Sequence, residues 1–331
     1  MKNTVDIFSP QVSKITRGLE GKVIMIYGGN NLGKTDVASH MSKPFFFACE
    51  SGLNAISGVK YSKVNKWVDF RTLVEQLTER KTVDKARELY DTIVIDEVYA
   101  SSILCQEYCI TTYGEGALTL GDPRGKVNLY QAYEKEYFRA INLLLSCDYT
   151  VVFIAHDEEK EGYTKPKGDK RCLRPIIDAC DFVIYLTSNG VDENGNVIKS
   201  SGHLAETDTY FARSRFKYCP TLIEEFTAEN LEKAIITAIE KKEEIEGIQA
   251  ISYDEYKKQK TTADYDYDDV MKQLEQIGQK FQDSDNMAIL TEIVEDVLGA
   301  GKRVSECTKK QTEAMVIILN GLIDKAEELG L

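Results

Sequence analysis

The chain has 331 residues, of which 43% are apolar, and this is enough to bury a full core in one large domain with a smaller appendage. Its net charge of −13 argues against a protein coated in phosphate-binding residues. The N-terminus lacks the apolar run of a signal peptide, and no stretch approaches the roughly 18 apolar residues of a membrane span. We therefore expect neither export nor membrane insertion.

Net charge is unevenly distributed along the chain, and the spacing of the cysteines indicates their chemical state. From Phe226 to Leu331 there are 23 acidic and 13 basic residues, so this third carries −10, whereas the first 225 residues carry −3. The eight cysteines form no CxxC pair, and three histidines offer no zinc-type spacing. This pattern is typical of reduced thiols in a cytosolic protein.

The first two thirds of the chain alternate apolar strands with helical patterns. The predicted strands are residues 21–28, 44–50, 91–97, 149–157 and 181–188. The helical patterns between them are residues 34–43, 71–81 and 130–146. Continuous apolar strands that alternate with helices predict an α/β fold whose parallel central sheet is covered on both faces.

The pattern changes towards the C-terminus. The segment SNGVDENGNVIKS (188–200) has the turn chemistry of a hairpin, and TDTYFARSRF (207–216) is predicted as its partner or as a neighbouring edge strand. After Phe226 the pattern becomes helical and amphipathic. We predict a core domain over 1–245, a polar linker over 246–270 and a small helical domain over 271–331.

The segment GGNNLGKT, residues 28–35, matches the phosphate-binding pattern G-x-x-x-x-G-K-[ST] between a strand and a helix. Glycines let consecutive backbone N–H groups turn towards phosphates, a lysine reaches the β and γ oxygens, and a hydroxyl coordinates Mg²⁺. The motif predicts ATP and Mg²⁺ as cofactors. The predicted nucleotide-binding residues are Gly28, Gly29, Asn30, Asn31, Leu32, Gly33, Lys34, Thr35 and Asp36.

The strand DTIVIDE (91–97) ends in carboxylates, about sixty residues after the phosphate-binding loop. We predict that Asp96 and Thr35 hold the metal ion. Hydrolysis also needs a carboxylate to orient or deprotonate the attacking water. Glu97, beside the metal aspartate, and Glu50, at the end of the second strand, are both candidates, and their positions do not decide between them.

The order of these motifs resembles that of the RecA-like recombinase ATPases over roughly residues 20–226. PFFFACESGLNAI (44–56) is similar to the segment that ends in their catalytic glutamate, which would make Glu50 the base. The resemblance implies that His156, after the strand YTVVFIAHD (149–157), senses the γ-phosphate. ARSRFKY (212–218) is similar to their basic motif, so Arg213 and Arg215 would reach the nucleotide of a neighbouring subunit.

Within that group the chain resembles the short phage-encoded RecA-like ATPases associated with single-strand annealing, which have a histidine at the sensor position and a small helical C-terminal region. This resemblance implies a RecA-like P-loop NTPase core. It also implies single-stranded DNA, a ring or filament of its own subunits, and a phage replication or recombination protein as partners, in the host cytoplasm. Glu97 departs from the pattern because its position is like that of the base in AAA+ enzymes.

The segment KEGYTKPKGDKRCLR (160–174) is the most basic patch in the chain, and its glycines and proline predict a loop rather than a helix. Single-strand binding combines such cations with aromatic stacking, for which Tyr163 is available. In RecA-like proteins the loop at this position contacts single-stranded DNA, although charge runs are usually solvated surface. The predicted DNA-binding residues are Lys165, Lys167, Lys170, Arg171 and Arg174.

The sequence is also compatible with two other functions. A helicase loader or assembly ATPase would use the C-terminal helices to hold a protein partner and would respond little to DNA. In that region Lys302, Arg303, Lys309 and Lys310 flank a predicted helix start, which suits a DNA-docking bundle, a protein-docking bundle or a stabilising cap. A small-molecule kinase would need an acceptor pocket and an arginine-rich lid, and the sheet order implied by Glu50 and Asp96 disfavours it.

Overall fold

The computed structural model describes residues 14–50, 52–79, 81–124, 127–253, 255 and 266–331. These residues form two compact units, which divide between residues 255 and 266. Among the described residues, no helix has the length and apolar character needed to cross a membrane. All eight cysteines belong to the described part of the chain and are free thiols.

The first unit contains thirteen strands and seven helices among the described residues. The strands are β1 Ile15–Thr16, β2 Val23–Gly28, β3 Pro44–Ala48, β4 Lys60–Lys63, β5 Thr92–Asp96, β6 Thr150–Ala155, β7 Asp157–Lys160, β8 Tyr163–Pro166, β9 Phe182–Thr187, β10 Ser201–His203, β11 Arg213–Ser214, β12 Leu222–Ile223 and β13 Ala250–Ile251. The helices are α1 Lys34–Ser39, α2 Trp67–Thr78, α3 Val83–Leu89, α4 Val98–Tyr113, α5 Leu129–Leu145, α6 Lys170–Ala179 and α7 Ala228–Glu246.

The main sheet has the order β12-β10-β9-β2-β6-β5-β3-β4, and its six strands from β9 to β4 are parallel. Helices cover both faces. In β2, Met25 and Tyr27 enter one buried cluster, whereas Ile24 and Ile26 enter the cluster on the other face. Both faces of the sheet are shielded from water, so a continuous run of apolar residues is stable as a strand. The predicted α/β fold with a mostly parallel, helix-flanked sheet is confirmed.

β6 lies between β2 and β5, so it separates the strand before the phosphate-binding loop from the strand that ends in Asp96. The register pairs Tyr27 with Ala155, and Asp96 with Ile154. Because parallel strands with matched register end at one edge, the residue after β6 lies between the other two strand ends. That residue is His156.

Antiparallel strands extend the sheet beyond β9. In segment 188–200, Val191 and Val197 form an antiparallel bridge around the predicted turn. β10 follows and pairs with β9, and within 207–216 only β11 is a strand. β11 pairs with β9, so the segment is a neighbouring edge strand rather than the partner of the 188–200 hairpin.

The prediction of a loop over 160–174 is wrong for most of that segment. β7 and β8 form a hairpin, and α6 begins at Lys170. The helix begins there because Asp169 accepts a hydrogen bond from the Arg171 N–H at 2.7 Å, which caps the helix. An apolar face behind that cap then buries Cys172, Leu173 and Ile176.

Part of the predicted linker, residues 246–270, lies outside the described residues. In the described part, β13 pairs in parallel with β1, and a helix begins at Tyr267. The second unit contains helices α8 Tyr267–Asp283, α9 Met287–Leu298 and α10 Thr312–Leu329. Its own core is centred on the fully buried Phe281, Met315 and Ile318.

Gly202 in β10 is the point of closest approach between the sheet and Phe226. A Cβ at residue 202 would lie 2.3 Å from Cδ2 of Phe226, which is itself 3% exposed. We expect Gly202→Ala to lower the free energy of unfolding by about 1 to 3 kcal/mol, because the added methyl group overpacks this site. Urea denaturation measures the change.

The double variant Gly202→Ala with Phe226→Leu is the control for that interpretation. Leucine makes room for the methyl group, so the double variant is expected to lose less stability than the sum of the two single variants. Additive losses would contradict the assigned clash.

Candidate functional site

The phosphate-binding loop has the backbone that its sequence predicts. Gly28 has φ 151°, and a Cβ there would lie 2.8 Å from the Leu186 carbonyl oxygen. Gly33 has φ 81° and precedes α1. Only glycine adopts these conformations without strain. The side chain of Ser200, which sequence reasoning missed, supports the loop by donating a hydrogen bond to the Leu32 carbonyl at 3.0 Å.

Lys34 lies inside this loop. Its ammonium donates hydrogen bonds to the carbonyls of Gly28 at 2.8 Å and Gly29 at 2.6 Å, and only 7% of the residue is exposed. Burial lowers the pKa of Lys34, and the nearby carboxylates, of which Asp157 acts most strongly, oppose that shift. A cation held by carbonyls in a recess is suited to phosphate oxygens.

Asp157 was not predicted to belong to the site. It is the first residue of β7 and directly follows His156. It lies just beyond the end of β6, at the same edge of the sheet as the phosphate-binding loop, and its negative charge opposes the lowering of the pKa of Lys34. The only signal in the sequence was its position at the end of a predicted apolar strand.

Thr35 and Asp96 meet as the motif requires. The Thr35 hydroxyl donates a hydrogen bond to Oδ2 of Asp96 at 3.0 Å, and Asp96 is 3% exposed. Burial raises the pKa of Asp96 to about 6, although the Thr35 hydrogen bond opposes this shift. A hydroxyl and a carboxylate are oxygen ligands of the kind that Mg²⁺ prefers, so these residues fit the metal site predicted for them.

The two candidate bases differ in their surroundings. The carboxylate of Glu97 caps α4, since its two oxygens accept hydrogen bonds from the Tyr99 and Ala100 N–H groups, both at 3.0 Å. Glu97 is 3% exposed, and burial raises its pKa. The Glu50 side chain is 37% exposed, and its Oε1 lies 3.6 Å from Nε2 of His156.

Three side chains that could hold a metal ion lie close together, namely those of Glu50, Glu97 and His156. Each offers one ligand atom, and the three atoms lie within 4.8 Å of one another. They come from the ends of β3, β5 and β6, which are neighbours at the carboxyl edge of the sheet. The sequence predicted all three as site residues, and the structure brings them together beside Asp96.

The predicted DNA-binding residues extend from this site along β8 and α6. The Lys167 N–H donates a hydrogen bond to the His156 carbonyl at 2.8 Å, so the hairpin returns to the strand end from which it started. Lys165 pairs with Glu158 at 3.3 Å, and the largely exposed Arg174 lies 3.9 Å from Asp178. Lys170 is exposed at the start of α6.

Arg213 and Arg215 lie at the opposite edge of the sheet from the phosphate-binding loop of their own chain. Arg213 donates to the Cys180 carbonyl at 3.2 Å, and Arg215 donates to the Asp178 carbonyl in the last turn of α6. Arg215 also lies 3.6 Å from Asp181, five residues along the chain from Leu186, which pairs with Gly28. This separation is about 16 Å along the strand direction.

Comparison with known proteins agrees with this geometry. Residues 20–216 match the model of a family described as an AAA domain. The match covers more than half of the chain, and the chain belongs to this family of AAA-type P-loop ATPases. The predicted ATP-binding and nucleotide-hydrolysing class is thereby confirmed, and members of the family generally bind ATP with Mg²⁺.

A relative from Bacillus subtilis (strain 168) is similar over nearly the whole length. It is the SPbeta prophage-derived uncharacterized protein YorG, 47% identical in an alignment of 330 positions that covers 98% of this chain and 99% of that protein. The similarity supports the predicted phage origin and extends through both compact units.

The buried charge of Asp96 gives a pH-dependent prediction. The pKa of Asp96 in the folded protein, about 6, lies above its ordinary value of 3.8. A carboxyl group whose pKa rises on folding stabilises the fold below its unfolded pKa, and this contribution is lost as the pH rises through 6. In metal-free buffer at pH 8 we expect Asp96→Asn to raise the free energy of unfolding by about 2 to 3 kcal/mol.

Urea denaturation at several pH values in EDTA measures this gain, which should vanish near pH 4. Asp36→Asn is the matched control, because this aspartate follows Thr35 directly but its side chain is 67% exposed. Its effect should stay within about 0.5 kcal/mol. An Asp96→Asn variant that is less stable than wild type at pH 8 would contradict the assigned burial cost.

Proposed function

We propose that this protein hydrolyses ATP to control its grip on single-stranded DNA in phage-type recombination or replication. One observation carries the proposal. The hairpin that leads into the basic segment starts directly after His156, between the phosphate-binding strand and the Asp96 strand, and the Lys167 N–H donates a hydrogen bond to the His156 carbonyl at 2.8 Å. A change at the γ-phosphate can therefore act directly on the cationic segment.

In this mechanism Lys34 would exchange its two carbonyl partners for phosphate oxygens, and Thr35 and Asp96 would hold Mg²⁺. The metal, when bound, neutralises charge on the β- and γ-phosphates. The chain's own contribution is to keep the cation, hydroxyl and carboxylate in fixed positions in a largely buried recess. Such preorganised charges are more effective in a recess than in water.

Glu50 is the proposed base. Its carboxylate is accessible and faces His156, whereas both oxygens of Glu97 are already bound to the first turn of α4. A base must have a free oxygen within hydrogen-bond reach of the attacking water. Glu97 is the alternative base, but it is 3% exposed and each of its oxygens already accepts one hydrogen bond.

His156 is the proposed sensor of the γ-phosphate. The ring lies 3.6 Å from Glu50, and the backbone holds Lys167, so one residue joins the base to the segment with the proposed DNA contacts. Those contacts are Lys165, Lys167, Lys170, Arg171 and Arg174. Linkage requires that if ATP favours the DNA-binding arrangement of this segment, DNA must favour ATP binding by the same factor.

Arg213 and Arg215 can complete a nucleotide site only in a neighbouring subunit, because their own phosphate-binding loop lies at the other edge of the sheet. We therefore propose a ring or filament of this chain in which at least one of them stabilises phosphate charge in the transition state. Both guanidinium groups now donate to carbonyls at the carboxyl end of α6, and an assembled site would require them to exchange these partners.

A loader or assembly ATPase is the second candidate. The C-terminal helices form a compact unit with its own core, in the acidic third of the sequence, and such a unit suits a protein partner. This candidate predicts a hydrolysis rate that does not respond to DNA.

The test is ATP hydrolysis with and without a single strand of about 60 nucleotides, in low salt because phosphate contacts weaken steeply as salt rises. We expect stimulation in the wild type. Lys34→Ala should lose activity because it loses phosphate binding, and Glu50→Gln should bind ATP but lose at least about 100-fold in turnover.

Glu97→Gln is the matched control, since it also replaces a carboxylate with an amide at the same site. It should retain more activity than Glu50→Gln. The opposite ranking would assign the base to Glu97, and a wild-type rate that ignores DNA would favour the loader.

A further inference from the structure

Two tyrosines beside the basic segment each have a cation over the ring. Nζ of Lys167 lies 5.1 Å from the ring centre of Tyr99, and Cζ of Arg171 lies 4.4 Å from that of Tyr130. Tyr99 and Tyr130 are the second residues of α4 and α5. Cations and aromatic rings that alternate on one surface are typical of single-strand binding sites.

The amino ends of α4, α5 and α6 lie at the same edge of the sheet as the phosphate-binding loop. α4 starts directly after β5, whereas α5 and α6 run back towards the starts of β6 and β9. Both tyrosine–cation pairs therefore lie at the edge of the sheet that contains His156, and Lys167 of one pair donates its N–H to the His156 carbonyl. A strand bound along the basic segment would pass over them.

We propose that Tyr130, with Arg171 on its ring, is a base-stacking site for single-stranded nucleic acid. The inference rests on the proposed function and adds to it the residue that contacts the bases. Arg171 and Lys167 are already predicted phosphate or backbone contacts, but phosphate contacts alone do not engage a base.

Tyr130 is suited to stacking because it is exposed and held in place. The residue is 39% exposed, although a buried core lies beneath α5. A Cβ at Gly121 would lie 3.2 Å from the Tyr130 hydroxyl oxygen, so the chain at residue 121 limits where the ring can move. A ring that is ordered before binding loses less entropy when a base stacks on it.

Arg171 adds a second planar surface. Its guanidinium lies over the ring and pairs with Asp169 at 3.5 Å, and the same aspartate caps α6. Guanidinium planes and tyrosine rings both stack on nucleobases without regard to sequence. Tyr163, the aromatic residue that the sequence suggested, is half-buried and donates its hydroxyl hydrogen bond to Glu206.

A tyrosine–lysine contact alone does not define such a site. Nζ of Lys217 also lies 5.1 Å from the ring centre of Tyr218, but Glu246 accepts a hydrogen bond from the Tyr218 hydroxyl at 3.2 Å and lies 3.9 Å from Lys217. There one carboxylate contacts both the tyrosine hydroxyl and the lysine. At Tyr130 the carboxylate that pairs with Arg171 is Asp169, which also caps α6. The Tyr130 surface instead continues into the exposed Lys167 and Lys170.

The test compares two ligands of equal backbone charge, a thymidine strand of about 30 nucleotides and an abasic strand of the same length. Binding is measured by fluorescence anisotropy with a non-hydrolysable ATP analogue present. Tyr130→Leu should weaken binding to the thymidine strand by roughly 5- to 100-fold, as expected for the loss of one stacked base, and leave the abasic strand unaffected. Tyr130→Phe should bind like the wild type because it keeps the ring.

Phe138→Leu is the matched control, because Phe138 is 41% exposed on the same helix, eight residues further on, and has no place in the proposed site. It should bind both strands like the wild type, and a thermal melt of each variant confirms folding. A Tyr130→Leu variant that still prefers the thymidine strand as the wild type does would overturn the stacking site alone. A wild type that binds neither strand would overturn the proposed function as well, and equal loss on both strands would show a backbone contact instead of stacking.

Discussion

The parallel register of β2, β6 and β5 is the constraint on which the site depends. It ends three buried strands at one level, so that Gly28, His156 and Asp96 reach the same edge of the sheet. The predicted metal ligands, the two candidate bases and the proposed sensor are attached to these ends or to β3 beside them. A shift of one residue in any strand would turn alternate side chains to the other face and separate Thr35 from Asp96.

Several charged side chains are buried at this edge of the sheet, and burying a charge costs free energy. Lys34, Asp96 and Glu97 are each less than 10% exposed, and burial disfavours the charged form of all three. Hydrogen bonds from Thr35, Tyr99 and Ala100 offset part of this cost for the carboxylates. Bound phosphate and metal ion would offset more of it, so the nucleotide is expected to stabilise the fold as well as to react in it.

Much of this arrangement was predictable from the sequence. The phosphate-binding loop was identified because its glycines, lysine and hydroxyl occupy fixed places, and the strands were identified because both their faces are buried. The start of α6 was missed because glycine and proline around residue 166 outweighed the cap that Asp169 provides. Local turn signals were strong there, whereas the buried face of Cys172 and Ile176 becomes visible only once the sheet exists.

Other features depend on contacts that no sequence pattern reveals. Glu97 was predicted as a site residue, and the structure shows that its carboxylate binds the first turn of α4. Asp157 and Ser200 had no motif, and the pairing of Arg171 with Tyr130 joins residues about forty positions apart. For Asp157, Ser200 and Arg171 the partner comes from an element distant in sequence, so spacing along the chain carries no information about it. The cap formed by Glu97 is local, with partners two and three residues further on.

The central claim is that the nucleotide state controls the grip on single-stranded DNA through the chain segment between His156 and Lys167. The most direct measurement is the affinity for a single strand with a non-hydrolysable ATP analogue and then with ADP, at fixed low salt. The account predicts at least about fivefold tighter binding with the ATP analogue, and an equal increase in the affinity for the analogue when DNA is present. Equal DNA affinity in both nucleotide states would contradict it.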